Sequence, residues 1–239
     1  MEAIITTLVP DSAQGNTRPG KRPRQVNVLV GSSLTPGDLE ELKEIIESFG
    51  LRPLLLPDLS DSLDGHLGEQ DFSPLTIGGT PVSELLTVGD SIATLVIGHS
   101  MHRAADKLYQ LTQVPEYRFD HLMGLEAVDR FVNTLQQIAA EPVPARLERQ
   151  RAQLQDAMLD SHFSVGQTRF MVAAEPDQLA GIADGLRSQE ELLVGAVGAV
   201  VHRAGVQAVG DDLGTDTAGA VVDHELVLDA GQGVVQDRV

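Results

Sequence analysis

The sequence is that of an acidic protein of 239 residues that contains no cysteine. Its 35 acidic residues outnumber its 17 basic ones, and this argues against a nucleic-acid partner because nucleic-acid-binding surfaces concentrate lysine and arginine. Without cysteine the chain itself holds no disulfide, no thiolate nucleophile and no cysteine-ligated zinc or iron–sulfur cluster. No apolar run has membrane-spanning length and the first residues lack a signal-peptide pattern, so the predicted location is the cytoplasm, away from any membrane.

Residues 1–24 are predicted to form a flexible, basic N-terminal segment. Residues 11–25 are polar, carry glycine and proline, and become basic from Arg18 onward. Such a composition is typical of a linker that leads into the first strand.

Alternating strand and helix signals predict an α/β domain over residues 25–144. A short apolar strand, Val26–Val30, is followed by a helix start at Thr35–Asp38, which offers a cap residue, an early proline and an acid. Further apolar strands are predicted at Leu54–Leu56 and Ala93–Gly98. The alternation indicates a parallel, Rossmann-like sheet covered by helices.

Residues 145–192 are predicted to contain a connecting helix and the start of a second α/β domain. Apolar residues at helical spacing from Leu125 to Ile138 indicate a helix, and Pro142 and Pro144 prevent it from continuing. The next helix, about 146–160, has only a thin apolar stripe and several arginines (Arg146, Arg149, Arg151). We expect it to bridge domains or to face a partner. A strand at Phe170–Ala174 and a helix from Pro176 to about Ser188 then restart the pattern.

Residues 193–239 differ in composition from the rest of the chain. Valine, alanine, glycine and aspartate dominate, and helical periodicity is weak. Val197–Val201 has the pattern of one strand, and the remainder is a tail of low structural specificity.

One motif offers a catalytic hypothesis. Gly98-His99-Ser100-Met101-His102 follows a predicted strand and nearly matches the nucleophile elbow G-x-S-x-G, so a small serine hydrolase using Ser100 is an alternative function. His102 stands where the motif has its last glycine, which packs against the neighbouring backbone. An ordinary strand-to-helix turn is therefore the favoured interpretation.

Three weaker patterns do not assign a site. His99 and His102 form an H-x-x-H pair of the kind that binds divalent metals, but the sequence indicates no third ligand. Gly78-Gly79-Thr80 resembles a phosphate-binding turn without the lysine that would follow it. The acidic residues of the tail (Asp211, Asp212, Asp216) are interpreted as a solvated acidic run. No catalytic, cofactor-binding or metal-binding residue is assigned.

A series of motifs in order resembles the NifN family of iron–molybdenum cofactor biosynthesis proteins, which belongs to the nitrogenase component 1 type. The motifs span about Gln25 to Ser188 and include Leu34–Lys43, Ser48–Leu51, Leu56–Ser60, Ser62–His66, Phe72–Pro74, Gly78–Thr80, Gly124–Asp129, Pro142–Pro144 and Arg149–Arg151 with Asp156–Phe163. The nitrogenase β subunit shares the last of these more loosely.

The resemblance implies the fold and a role in nitrogen fixation. It implies three α/β domains in a chain about twice this long, paired with a NifE-type partner in a heterotetramer that acts as a scaffold and not as an enzyme. That full complex carries iron–sulfur clusters and the cofactor precursor, whereas this chain is expected to be a fragment lacking the N-terminal domain with the family's cluster-binding cysteine. No metal ligand transfers to any residue here, and the fragment is expected to be inactive alone.

The resemblance fades after about Ser188, where the compositional change of the tail begins. An excess of valine, alanine, glycine and aspartate is what a GC-rich gene encodes in a wrong reading frame. We hypothesise that the tail, 193–239, is frameshifted.

Overall fold

The computed structural model describes residues 1–14, 17–60, 78–165, 170–197, 206–209 and 219–222. In chain order its helices and strands are α1 (Glu2–Leu8), β1 (Gln25–Val30), α2 (Pro36–Ser48), β2 (Arg52–Leu56), α3 (Val82–Leu85), β3 (Ala93–Ile97), α4 (His102–Thr112), β4 (Glu116–Phe119), α5 (Leu125–Ala139), α6 (Ala145–Val165), β5 (Phe170–Ala173), α7 (Pro176–Val197), β6 (Val206–Val209) and β7 (Gly219–Val222). Among these residues, no helix is long and apolar enough to cross a bilayer.

The first four strands form a parallel sheet in the order β2-β1-β3-β4. Val28 of β1 lies opposite Leu55 on one side and Leu95 on the other, which fixes the register at the centre of the sheet. The predicted parallel α/β fold is confirmed. Because the chain moves outward from β1 to β2 and then returns to β3 on the other side, the order reverses between β1 and β3.

Helices cover both faces of this sheet, and each face has its own apolar core. Alternate residues of β1 point to opposite faces: Val28 packs in the core with α2 and α5, and Leu29 packs in the core with α1 and α4. Phe131 and Ile46 are fully buried on the first face, and each such side chain contributes about 1.5–3 kcal/mol through burial.

The helix start predicted at Thr35 is confirmed. The side chain of Thr35 accepts a hydrogen bond from the Asp38 N–H, and the Asp38 carboxylate accepts one from the Thr35 N–H, which together make a capping box. Strand β4 was not predicted, because it is only four residues long, only Phe119 among them is buried, and it carries charged groups at Glu116 and Arg118.

The N-terminal segment, predicted to be flexible, has a defined position against the sheet. Helix α1 packs on α4 through Ile5, which is 1% exposed. The Arg18 N–H donates to the Asp90 carboxylate at 3.0 Å, and the Lys21 ammonium and Arg22 guanidinium lie within 4 Å of it. Basic residues that composition assigned to a linker are therefore the partners of one buried aspartate.

The second unit begins with α6 at residue 145, one residue after the predicted boundary at Pro144. Two arginines of α6 bind back to the first domain (residues 25–144): Arg146 pairs with Glu41 and Glu44 of α2, and Arg151 with Asp129 of α5. These carboxylates raise the pKa of both guanidinium groups. Helix α6 therefore contacts α2 and α5 through its arginines and packs on α7, and its role between domains stays a prediction.

The remaining strands form a sheet in the order β5-β7-β6, in which β7 is antiparallel to both neighbours. Strands β6 and β7 belong to the tail. Helix α7 continues to Val197, beyond the predicted end near Ser188, so the predicted strand at 197–201 begins on the last helical residue and otherwise lies outside the described residues. The frameshift remains a hypothesis.

Candidate functional site at the carboxyl edge of the sheet

The ends of β1, β3 and β4 meet at one edge of the parallel sheet, here called the carboxyl edge. Gly31 follows β1, Gly98 follows β3 and Asp120 follows β4. In open α/β sheets, ligands bind outside the carboxyl ends of the strands where the strand order reverses. In this protein that position lies between β1 and β3, and it is the place to look for a site.

A carboxylate of the second unit occupies this position. Asp177, in the first turn of α7, accepts hydrogen bonds from the Ser100 N–H at 3.0 Å and from the Ser100 hydroxyl at 2.5 Å. Asp177 is 7% exposed, and among the described residues it has no cationic partner. In the described part of the chain, the hydrogen bonds from Ser100 and the N-terminus of α7 stabilise this carboxylate.

Two glycines make room for this carboxylate. A Cβ atom on Gly98 would lie 2.5 Å from an Asp177 carboxylate oxygen, and one on Gly31 would lie 2.9 Å from the same atom. Gly98 also has φ of 100°, a conformation that residues with a side chain rarely adopt. Any larger residue at these two positions would displace Asp177.

Further contacts extend this seam, which we define as the contact surface between the carboxyl edge and α7 with the residue before it. The Ser32 hydroxyl donates to Glu175 at 3.3 Å, and the Gln178 amide donates to the Ser33 carbonyl at 3.3 Å. On the other side of Asp177, the His121 ring lies 2.8 Å from the Asp184 carboxylate. The seam is a polar docking surface that closes the crevice at the strand-order reversal.

A second cluster lies on the same turn as Ser100 and combines two histidines with an aspartate. His99 Nδ1 lies 3.6 Å from Asp120 Oδ1, and His102 Nε2 lies 3.4 Å from the same oxygen. The His99 and His102 rings are 4.5 Å apart between centroids. Candidate ligand atoms of all three residues lie within 4.8 Å of one another. Sequence reasoning paired the histidines but did not find Asp120.

The geometry does not support the hydrolase alternative. The Ser100 hydroxyl donates to Asp177, and the neighbouring imidazoles of His99 and His102 face Asp120. Activating a serine nucleophile requires a base in hydrogen-bond contact with its hydroxyl, and a histidine fills that position in the usual triad. His102 begins α4, so the motif is the strand-to-helix turn that its sequence favoured.

Of the other two weak patterns, the turn at Gly78–Thr80 has a structural contact at the end of β2. Thr80 donates its hydroxyl proton to the Leu55 carbonyl and accepts a hydrogen bond from the Asp58 N–H, so it ties its loop to the end of β2. The acidic residues Asp211, Asp212 and Asp216 lie outside the described residues.

Asp177 and Asp120 are the two residues that sequence reasoning missed. The sequence predicted Asp177 at a helix start, but its hydrogen-bond partner Ser100 lies 77 residues away in the sequence. Asp120 follows the one strand of the parallel sheet that the sequence did not predict. Recognising β4 would have placed Asp120 at the carboxyl edge, because parallel neighbours end at the same side.

The sheet and its docked second unit define a doubly wound α/β protein, and comparison with known proteins assigns its family. The chain matches the model of the nitrogenase component 1 type oxidoreductases over residues 1–226 and belongs to that family. The match extends beyond the 25–188 range that carried the resemblance and includes the N-terminal segment and much of the tail.

Curated relatives refine this assignment. The chain is 44% identical over 189 residues to the nitrogenase iron–molybdenum cofactor biosynthesis protein NifN of Klebsiella pneumoniae, covering 79% of this chain and 40% of the relative. It is 46% identical over 170 residues to the NifN of Rhizobium meliloti, covering 70% and 38% respectively. The chain therefore spans about two fifths of the length of these relatives.

A solved structure supports the fold. Nitrogenase Cp1 at pH 6.5 superimposes with a TM-score of 0.67 at 25% sequence identity, covering 79% of this chain and 39% of that one. The predicted nitrogenase component 1 type of α/β fold is confirmed.

Proposed function

We propose that this chain is part of a NifN-type subunit of the scaffold on which the nitrogenase iron–molybdenum cofactor is assembled, and that it acts by packing, without catalysis of its own. The observation that carries the proposal is the 44% identity over 189 residues to a protein named for cofactor biosynthesis. The proposal places the chain in the cytoplasm, with a NifE-type subunit as its partner.

The residue content supports a packing role. The chain has no cysteine, so it offers no thiolate to an iron–sulfur cluster, and cysteine ligands of any such cluster in the complete assembly would come from other polypeptide segments. Within the chain, the crevice that many α/β enzymes use for ligands is filled by Asp177.

Helix α6 supplies a surface that suits a protein partner. Leu154 is 38% exposed and Leu159 is 55% exposed on a helix whose other described positions are mostly exposed and polar. Apolar side chains that share an exposed helix bury against another protein more favourably than against water. We propose that the partner subunit contacts the face of α6 that carries Leu159, which lies about 140° around the helix from Leu154.

Co-purification tests the proposal. The full chain, co-expressed with an affinity-tagged NifE-type subunit, is expected to co-purify with it, and Leu159→Glu is expected to reduce the recovered amount at least about tenfold by burying a charge. The matched control is Leu86→Glu, since Leu86 is 52% exposed but lies just after α3. Absence of co-purification with the unsubstituted chain would contradict the partner, and equal losses in both variants would contradict the assigned face.

A further inference from the structure

Three side chains with metal-binding atoms converge where β3 and β4 end. We propose that His99, His102 and Asp120 form a binding site for a divalent transition metal of the zinc or ferrous-iron type. The sequence supplied the two histidines on one turn, and the fold adds a carboxylate from the neighbouring strand.

The distances suit a single ion. Zinc binds imidazole nitrogen and carboxylate oxygen at about 2.0–2.2 Å, which places neighbouring ligands of a tetrahedron about 3.3–3.5 Å apart. The His102 Nε2 to Asp120 Oδ1 distance is 3.4 Å, and the His99 Nδ1 distance to the same oxygen is 3.6 Å. Both distances match the spacing of neighbouring ligands on one ion, and the candidate ligand atoms of the two histidines lie within 4.8 Å of each other. Rotation of the exposed His99 side chain would bring these two atoms closer when an ion binds.

The backbone holds the three residues in place without the ion. His99 lies in a short 3-10 turn, His102 is the first residue of α4, and Asp120 directly follows β4. Ile97 and Phe119 pair in register, so the two loops leave the sheet side by side. The hydrogen bonds from Ser100 to Asp177 further fix the turn between the two histidines.

One candidate ligand atom is buried without a hydrogen-bond partner among the described residues. Within the part of the chain that the structure describes, the buried His102 Nε2 makes no hydrogen bond, while the His102 side chain as a whole is 24% exposed. A buried polar atom without a partner destabilises the fold, and coordination of a metal would remove that cost.

The ligand types select the class of metal. Two imidazoles with one carboxylate are typical of zinc and of non-haem ferrous iron, whereas calcium and magnesium prefer oxygen ligands throughout. His99 and Asp120 are 75% and 62% exposed, so the ion would keep open positions toward solvent for water or an exchangeable ligand. The net charge of −18 raises the local concentration of cations around the protein.

Metal titration of the purified full chain tests the site. We expect one zinc ion to bind per chain by calorimetry, and cobalt to bind at the same site with visible d–d absorption bands. His99→Ala and Asp120→Asn are each expected to weaken zinc binding at least about tenfold, since even residues that only support a ligand contribute tenfold or more. Both side chains are largely exposed, so both variants should fold, and far-ultraviolet circular dichroism checks this.

Two matched controls separate this site from general binding by histidines or carboxylates. His162→Ala removes a histidine of α6, and Asp106→Asn removes an α4 carboxylate that is 57% exposed and pairs with Arg118. Neither is expected to change zinc affinity by more than about twofold. The site is refuted if the unsubstituted chain binds no zinc, if the His99→Ala, Asp120→Asn double variant binds as tightly as the unsubstituted chain, or if the controls weaken binding as much as the site variants.

Discussion

The two edges of the parallel sheet each bury one aspartate, and the two are stabilised differently. At the amino edge, where the strands begin, Asp90 is 5% exposed, accepts a hydrogen bond from the Arg18 N–H and lies near two cations. At the carboxyl edge, Asp177 is 7% exposed, and within the described part of the chain its side chain is held by the hydrogen bonds from Ser100. Both carboxylates are desolvated to a similar degree, and in the described ranges Asp90 alone of the two has opposite charges to offset the loss of water.

The difference follows from what each aspartate connects. Asp90 lies in the first domain and binds the N-terminal segment, so the contacts of Asp90 form when that domain folds. Asp177 belongs to α7 and joins the second unit to the first. Because Asp177 has no cationic partner among the described residues, we expect the seam to open at lower free energy than the sheet unfolds.

Gly98→Ala should have the largest effect, because it breaks the seam from the sheet side. The new Cβ would meet the Asp177 carboxylate at 2.5 Å on a backbone with φ of 100°. We expect a loss of about 3 kcal/mol in the free energy of unfolding, from backbone strain and overpacking together. Urea unfolding followed by circular dichroism measures it.

Gly79→Ala is the matched control, since Gly79 has φ of 96° and, counting only the described residues, no atom lies within 4 Å of a built Cβ. It should cost about 1 kcal/mol, from backbone strain alone. In an Asp177→Ala background the cost of Gly98→Ala should fall to that of the control. Equal costs for the two alanine substitutions in the unsubstituted chain would show that Asp177 does not crowd Gly98.

Alanine at each aspartate compares the two edges directly. Asp90→Ala should lower the global free energy of unfolding by about 2 kcal/mol, because it leaves the Arg18 N–H and two cations without their acceptor. Asp177→Ala should lower it by less than about 1 kcal/mol, because the seam can open and let water satisfy Ser100. Hydrogen exchange at the Ser100 amide should nevertheless become at least about tenfold faster.

One combination of results would contradict this comparison of the two edges. If Asp177→Ala destabilises the whole chain as much as Asp90→Ala and leaves exchange at Ser100 tied to global unfolding, the two units fold as one and the seam is not a weaker attachment. Asp90→Asn serves as a control for shape, since it keeps an acceptor for the Arg18 N–H and loses only the charge.

Sequence patterns predicted the sheet well because its signals are local. Val26–Val30, the capped start at Thr35 and the prolines near residue 144 each act through neighbours in the chain, so their outcome does not depend on distant residues. The family resemblance rested on motifs over the same range and was confirmed by the family match.

The edges were harder to predict because their chemistry joins residues far apart in sequence. Composition assigned the basic residues near Arg18 to a linker. In the structure they contact Asp90, which lies 72 residues later in the sequence. The sequence indicated no third ligand for His99 and His102. The short, polar strand β4 places Asp120 beside them in the fold. Composition and periodicity carry no information about such partners.

The smallest effect is expected at a third aspartate, which lies at the carboxyl edge and has a cation of its own. Asp58, just after β2, lies 2.6 Å from the Lys43 ammonium and accepts a hydrogen bond from the Ser60 hydroxyl. Burial raises the pKa of the Asp58 carboxyl, but hydrogen bonds from Lys43 and Ser60 outweigh burial and leave this pKa below its usual value of 3.8. Its contribution to stability is therefore fully present above pH 3.8 and is lost as the pH falls through the lowered pKa.

A double-mutant cycle of Asp58→Asn and Lys43→Met, followed by urea unfolding, measures this pair. The coupling free energy should be up to about 1 kcal/mol at neutral pH, because both side chains remain partly exposed, and it should vanish once the carboxyl is protonated in acid. A coupling that persists unchanged in acid would mean that packing, and not charge, joins α2 to the end of β2. A coupling that vanishes would show that the cation stabilises a paired carboxylate at this edge, a contribution for which Asp177 has no partner among the described residues.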